Sequence, residues 1–350
     1  MRCLKVTCLF FLVSGEHRTL PFAELKAILE AEGFKYKIIG KLSQIIRIEA
    51  DTESIKPIVH RAALTRVCSV ELAYCDAVAE EIYETVRSAL IENFLKKDET
   101  FVVRIRRIGE NSPQLVGNIL ERKLGAVLLR KVNGAKVQLT TPDKTFFGVL
   151  TDTKFIFGLK QAEIIPKPFV ERCPRKRPFF HPSSMQAKLA RCMVNLAQPT
   201  AGDLVLDPFC GAGAMLVEAG LIGCRVVGFD VQRRMVRGSL KNLVNYGVQP
   251  DGMCVADAKN LPITKVDCIV TDPPYGRSAT TMGQETKQIV TDFLSNVGGH
   301  IEKGGCICMA SPRAVRVGKL GEQLGFKRVE SHFVYVHRSL TREITVLEKV

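Results

Sequence analysis

Four short apolar runs, each closing on an aspartate, constrain the C-terminal half of this chain most strongly. They are Leu204-Val-Leu-Asp207, Arg225-Val-Val-Gly-Phe-Asp230, Gly252-Met-Cys-Val-Ala-Asp257 and Val266-Asp-Cys-Ile-Val-Thr-Asp272. Apolar runs this short, bounded by turn residues and separated by helix-length stretches, read as buried parallel strands of an α/β sheet. Such sheets bind ligands outside the carboxyl ends of their strands. One acid at a strand end is ordinarily a surface cap; four in succession point to a shared site.

The first run opens into Asp207-Pro-Phe-Cys-Gly-Ala-Gly213, and a helix is predicted from about 214 to 222. Gly211 and Gly213 let backbone approach a ligand, and the helix start offers free amides. The spacing is not the GxGxxG pyrophosphate fingerprint. Asp207 would repel phosphate and suits a cation such as a sulfonium or an α-ammonium group. Asp230, about twenty residues beyond the glycine loop, stands where ribose hydroxyls are held in such folds. Asp257 can accept from an adenine amino group.

The fourth run ends in Asp272-Pro273-Pro274-Tyr275. Two prolines fix φ and supply no amide hydrogen, so the corner offers a carboxylate and carbonyl oxygens only. An all-acceptor corner suits an amine with two hydrogens, and the Tyr275 ring can stack on the planar ring bearing it. The reading is a nucleobase amine turned toward an electrophilic methyl, with catalysis by positioning and electrostatics.

With these motifs, residues from about 178 to 350 resemble the Rossmann-like, S-adenosylmethionine-dependent amino-methyltransferases. The resemblance implies S-adenosyl-L-methionine as cofactor and a seven-stranded mixed sheet. Strands are expected at 305–310, 328–336 and 343–347, the last two forming a hairpin that inserts an antiparallel strand. It also implies cofactor contacts by Asp207, Pro208, Phe209, Cys210, Gly211, Gly213, Asp230, Asp257 and Ala258, and an amine corner of Asp272, Pro273, Pro274 and Tyr275. Cys210 is read as a loop-lining residue, since a thiol attacking a ring carbon is a different mechanism from amine methylation.

The N-terminal half alternates as β-α-β-β-α-β over residues 1–75: strands at the N-terminus, 34–39, 44–48 and 67–73, helices over 21–32 and 52–63. That order is ferredoxin-like. The apolar run Cys8–Val13 is too short for a signal or a membrane span. Residues 76–165 resemble the THUMP domain of RNA-modifying enzymes, with helices expected at 79–94 and, behind a Ser112-Pro113 start, at 113–132. Arg104, Arg106, Arg107 and Lys123 are its candidate RNA contacts. The chain carries Lys+Arg 50 against Asp+Glu 36, a net charge of +14, which favours a polyanionic partner. Twelve cysteines without a CxxC pair are read as buried thiols of a reducing cytoplasm, with no metal site.

Residues 166–177 form a proline-rich basic connector in which Arg172, Arg175, Lys176 and Arg177 are expected to reach phosphates. The next stretch, Arg177-Pro-Phe-Phe-His-Pro-Ser-Ser-Met-Gln-Ala187, resembles the cofactor-covering motif of THUMP-linked guanine N2-methyltransferases, implying contacts by His181 and Ser184. Ser183 and Ala187 stand where that family has glycine and proline. Asp272-Pro-Pro-Tyr-Gly-Arg-Ser-Ala-Thr280 and His337-Arg-Ser-Leu-Thr-Arg342 carry the likeness further, to the archaeal tRNA guanine-10 N2-methyltransferases across the whole chain.

That likeness implies one or two methyl transfers to a guanine 2-amino group in tRNA, a THUMP grip on the acceptor end, and Arg277 as a phosphate contact. Related enzymes require a small zinc-containing activator protein, and the sequence leaves open whether this chain has one as a second partner. The acceptor corner itself does not separate a guanine amine from adenine N6 or from another RNA guanine. A non-enzymatic alternative is an RNA-binding protein with an inactive methyltransferase fold, though Asp272 and the glycine loop are intact.

Overall fold

The computed structural model describes residues 6–110, 112–275, 285–338 and 340–350. The chain divides into two compact units. One comprises Met1–Glu16, Phe34–Val59 and Thr65–Ile164, and the other His17–Gly33, His60–Leu64 and Ile165–Val350. Elements in the first half run β1 (Val6–Val13), α1 (Leu20–Ala31), β2 (Tyr36–Leu42), β3 (Ile45–Asp51), α2 (Ile55–Arg61), β4 (Thr65–Asp76), α3 (Ala79–Ser88), β5 (Thr100–Arg107), α4 (Gly117–Lys131), β6 (Lys136–Val137), β7 (Lys144–Thr151) and β8 (Lys154–Glu163).

All eight strands of the first unit lie in one sheet, in the order β2-β3-β1-β4-β8-β7-β5-β6. The first four pair antiparallel in ferredoxin-like order. β4 and β8 carry the sheet into the segment that resembles THUMP, so residues 1–75 and 76–165 share a single sheet here. Aromatic side chains fill that end: the Phe146 and Phe157 rings stack with centroids 5.9 Å apart, among buried Leu120, Leu124 and Leu128 of α4.

Helix α4 starts at Gly117 and not at Pro113 as its cap sequence suggests. Ser112 is in the left-handed region (φ 54°), and the Arg107 guanidinium donates to the carbonyls of Ser112, at 2.8 Å, and Leu115. Those bonds hold 112–116 as a loop, which leaves Val116 exposed although helical spacing expects it in the core.

The second half adds α5 (Lys167–Glu171), α6 (Ala187–Leu196), β9 (Leu204–Asp207), α7 (Ala214–Gly220), β10 (Arg225–Asp230), α8 (Arg233–Asn245), β11 (Gly252–Val255), β12 (Cys268–Thr271), α9 (Thr286–Val297), β13 (Cys306–Pro312), α10 (Val317–Gln323), β14 (Phe326–His337) and β15 (Leu340–Lys349). Its seven-stranded sheet has the order β11-β10-β9-β12-β13-β15-β14. β9 to β13 pair parallel, and β15 is inserted antiparallel between β13 and β14. Alternate residues serve two cores. Val205, Val226, Cys268, Val270, Cys308 and Ile344 pack with α6 and α7, while Leu206, Val227, Ile269, Ile307 and Leu347 pack with α9. Both faces are covered, which is why these strands are short and almost uniformly apolar.

Helix α1, in the middle of the ferredoxin-like sequence pattern, belongs to this second unit. Its Glu24 is fully buried and accepts from the amides of Ala63 (3.0 Å) and Leu64 (2.8 Å) and from Asn195 Nδ2 on α6 (2.9 Å). Burial raises the pKa of this carboxyl, and the three donors offset that only in part.

Candidate active site

The carboxyl ends of β9, β10 and β12 and the segment after β11 open on one cavity of about 840 Å3. Asp207, Asp230, Asp257 and Asp272 all line it, with Pro208, Phe209, Cys210, Gly211, Ala258, His181, Ser184, Pro273, Pro274 and Tyr275. Arg277 lies outside the described residues.

Gly213 does not line the cavity. Its φ is +77°, and a Cβ there would stand 2.3 Å from Ser239 Oγ, so this glycine serves the turn into α7 and its packing on α8. Gly211 (φ +50°) is different: the nearest atom to its would-be Cβ is the Phe209 carbonyl oxygen at 3.8 Å. At Gly211 a side chain would project past the loop, and at Gly213 it would strike the protein.

The acids are organised by backbone donors. Asp230 Oδ2 accepts from the Gly211 amide at 3.1 Å and its Oδ1 from the Gln232 amide at 2.8 Å, which ties the glycine loop to the start of α8. Asp207 is 2% exposed; its Oδ1 accepts from Thr271 Oγ1 at 2.7 Å and from the Phe209 amide at 3.1 Å. Burial pushes Asp207 up to about 7, and the Thr271 hydroxyl only partly offsets it. Burial raises Asp230 and Asp272 as well. The exposed Asp257 closes a turn by accepting from the Lys259 amide at 3.0 Å. Burial, and then the neighbouring Asp207 and Asp230, push the Cys210 thiol well above its usual range, as for a packed loop residue.

At the proline corner, Tyr275 Oη donates to Asp272 Oδ1. Arg342 of β15 completes the group: its Nε donates to Tyr275 Oη at 3.0 Å, its Nη2 stands 3.5 Å from Asp272 Oδ2, and its guanidinium lies 5.5 Å from the Tyr275 ring centre. The Pro274 carbonyl accepts from Thr286 Oγ1 at 3.2 Å, which fixes the corner to the start of α9. Arg342 is the functional candidate that strand-end reasoning does not find, because it sits at the beginning of an antiparallel strand. The signal for it was its place in the His337-to-Arg342 tail.

Several basic residues have other work. Arg172, expected to reach phosphate, makes a two-pronged bond to the buried Glu218 (2.7 and 3.0 Å), which Arg191 also pairs at 2.9 Å. Arg177 is 5% exposed and donates to the carbonyls of Arg172 and Met185. The proline-rich segment is thus folded onto the second unit, with Phe169 buried beside Met185 and Ala187. Arg172 thus serves a fully buried carboxylate, which would be left with one partner fewer if the guanidinium turned outward, and Arg177 serves main-chain carbonyls. Arg107 is held by the loop carbonyls described above. Arg106, Lys123, Arg175 and Lys176 are exposed. Arg104 is exposed too but bonds the Leu139 carbonyl at 2.9 Å. Ala187 takes the first turn of α6, where the proline of the resembling motif is readily accommodated.

Residues 174–343 match the family described as UPF0020, RMKL-like, methyltransferase domain, and residues 76–159 match the THUMP domain. The chain is 39% identical over 340 residues to the tRNA (guanine(10)-N2)-dimethyltransferase of Methanothermobacter thermautotrophicus, covering 97% of this chain and 98% of that protein. This chain belongs to the tRNA (guanine(10)-N2)-dimethyltransferase family. The protein of that name from Methanocaldococcus jannaschii is 33% identical, with 97% and 99% covered. Among solved structures, TrmN from Thermus thermophilus matches with a TM-score of 0.55 at 20% identity, covering 98% of this chain and 100% of that one. SMU.472 complexed with SAH matches at 0.53 and 13% identity, with 99% of each chain covered. At such identities these structures speak for the fold.

Proposed function

We propose that this chain transfers one or two methyl groups from S-adenosyl-L-methionine to the exocyclic N2 of a guanine in tRNA, guanine 10. The observation that carries the reading is one cavity lined by three strand-end acids, the glycine loop and the whole Asp272-Pro273-Pro274-Tyr275 corner. Its volume lies within the range of about 300–1,000 Å3 usual for small-molecule sites.

The residues present fit the cofactor. Ser184 Oγ is buried in the cavity wall without a hydrogen-bond partner among the described residues, as a group awaiting a polar ligand atom would be. Gly211 presents backbone to the cavity with nothing opposing it. Asp230 retains unused lone pairs for ribose hydroxyls, Asp257 for an amino group, and Asp207 places negative charge near a cationic centre. The bound cofactor supplies an electrophilic methyl on a sulfonium that departs as a neutral thioether.

The chain's own residues do the rest. Asp272 and the Pro273 carbonyl accept from the two amine hydrogens and orient the nitrogen for in-line transfer. Tyr275 stacks on the base, which must leave its helical stack to enter the cavity. Arg342 fixes both the carboxylate and the ring. After transfer, Asp272, whose half-buried carboxyl holds a proton more readily than an exposed one, takes the proton the nitrogen releases.

The THUMP segment and its exposed cations, Arg106 and Lys123, contribute sequence-independent hold on the tRNA. As part of the same reading, the site of action is the cytoplasm, and the domain limits are 1–75, 76–165 and 178–350. No helix among the described residues is long and apolar enough to cross a membrane. Activity of the chain purified alone, as expected below, would make a small zinc-containing activator protein dispensable.

The decisive experiment incubates pure protein with labelled S-adenosylmethionine and an unmodified tRNA transcript, followed by digestion and positional mapping. N2-methylguanosine at position 10 is expected, with the N2,N2-dimethyl product at longer times. Recovery of N6-methyladenosine instead would overturn the substrate. Asp272→Ala should abolish transfer, with Tyr275→Ala less severe, both retaining cofactor binding.

A further inference from the structure

Helix α8 carries two faces with different occupants. Gln232 and Met235 line the cavity, while Arg233, Arg234, Arg237, Gly238 and Lys241 line a separate open groove of about 390 Å3 with Phe179. All four cations are exposed, and none has an acidic partner among the described residues. Elsewhere in this unit exposed cations do find acids, as Lys327 does with Glu348 at 2.9 Å and Arg225 with Asp251. From Arg233 to Lys241 the helix advances eight residues, about 12 Å at 1.5 Å each, a length that covers more than one phosphate.

The groove is built around an aromatic ring. Asn242, fully buried, accepts from the Phe179 amide and donates to the Phe179 carbonyl, both at 2.9 Å, and donates to the Ala212 carbonyl at 2.9 Å. A Cβ on Gly238 would stand 2.2 Å from Phe179 Cδ1, so the missing side chain is what lets the ring lie against the helix. The Arg234 guanidinium sits 5.9 Å from the ring centre. A fixed ring flanked by unneutralised guanidinium and ammonium groups is the chemistry that binds single-stranded nucleic acid: phosphate by charge, base by stacking. Two covalent routes lead from groove to cavity, along α8 and along Phe179 to His181 and Ser184.

We infer that this groove holds the phosphates of the RNA strand flanking the target nucleotide, with Phe179 as a stacking floor. It is a second RNA contact, in the methyltransferase unit and independent of the THUMP segment. The inference rests on RNA being the substrate. Its role is to keep the strand at the cavity mouth while one nucleotide is turned inward, where the energy of unstacking must be met by contacts on either side.

The test uses the full chain and an unmodified tRNA transcript, comparing wild type with R237Q/K241Q and R237E/K241E across a salt series. Losing two phosphate contacts should lower the slope of log affinity against log salt by about 1.4, and charge reversal should weaken binding at low salt at least tenfold. Binding of S-adenosylmethionine should stay within twofold of wild type, which also reports an intact fold. Unchanged slopes in both variants would overturn the groove, including in favour of an acidic protein as its occupant. Loss of cofactor affinity alongside tRNA affinity would also overturn it, by making these cations part of the cavity wall. Failure of the wild type to methylate tRNA would instead strike at the substrate itself.

Discussion

Arg342 and Tyr275, 67 residues apart, are joined by a 3.0 Å hydrogen bond from Nε to Oη. The bond places a cation from an antiparallel strand at the corner where the parallel sheet presents its acceptors. Because Tyr275 Oη in turn donates to Asp272, one guanidinium orients both the ring and the carboxylate. Arg342→Gln should lower single-turnover methyl transfer about tenfold or more through lost positioning, with cofactor affinity little changed. Arg342 also counters the rise that burial imposes on Asp272. The acid limb of the rate profile should therefore move to higher pH in the variant, and a profile that keeps its wild-type limb would remove Arg342 from this role.

Asp207 makes the ligand-free protein pH-sensitive. Its carboxyl titrates at about 7 when folded, raised chiefly by burial, and near ~3.9 when unfolded. Between those values the folded chain binds more protons, so stability falls as pH rises from about 4 to about 7, by on the order of 4 kcal/mol. Asp207→Asn keeps an acceptor for Thr271 and Phe209 and should flatten this window in melting curves taken across pH. A bound cation favours the ionised form, so wild-type affinity for S-adenosylmethionine should increase over the same window. Parallel melting curves for the two proteins would contradict the assignment.

The two loop glycines should separate stability from binding. Gly213→Ala meets both a left-handed φ and Ser239 Oγ, and should cost about 2–4 kcal/mol, read as a fall in melting temperature. Gly211→Ala meets only the φ penalty, about 1 kcal/mol. Its methyl points away from protein atoms, so its main effect should be a weaker cofactor titration. Equal effects of the two on cofactor affinity would contradict this division.

Removing Arg172 should unfold before it unbinds. Arg172→Ala leaves Glu218, fully buried, with Arg191 as its remaining partner, so the loss should show as a measurable fall in melting temperature, with a cost below the roughly 3–5 kcal/mol of leaving a buried charge with no partner. Its tRNA salt slope should match wild type below the melting range. A reduced slope with unchanged stability would return Arg172 to the RNA-contact set.

In the THUMP segment the outcome should be the reverse. Arg106→Glu with Lys123→Glu should leave the melting temperature within a degree or two, since both side chains are exposed. tRNA affinity should fall and the salt slope should shrink by one to two units, at roughly 0.7–0.9 per phosphate contact. Filter-binding isotherms at several salt concentrations would measure both.

How much was legible from residues alone differs from place to place. The four aspartates were, because a parallel sheet forces its strand ends onto one edge. The glycines were half legible: both have positive φ, but whether a side chain would strike a ligand or Ser239 depends on α8, which the loop sequence does not report. Helix α4 was misjudged at its start because Ser112-Pro113 has the form of a cap, and only Arg107 bonding two loop carbonyls reveals why the helix waits until Gly117. Charge was the least legible property. Arg172 and Arg177 look as available as Arg175 and Lys176 in a basic run, yet the buried Glu218 claims Arg172 and backbone carbonyls claim Arg177.

By itself the sequence determined the local chemistry: short apolar strands ending in acids, a proline corner with only acceptors, and a positive balance suited to RNA. Those follow from backbone geometry and side-chain type within a few residues, so they are written locally. The tertiary structure decided which of those groups face the same space and which are consumed by one another. It brought Arg342 to Tyr275, seated Phe179 on Gly238 beside four exposed cations, and hid two arginines against a carboxylate and main-chain carbonyls. Those outcomes depend on packing between residues far apart in the chain, where burial and pairing set the cost of every charge.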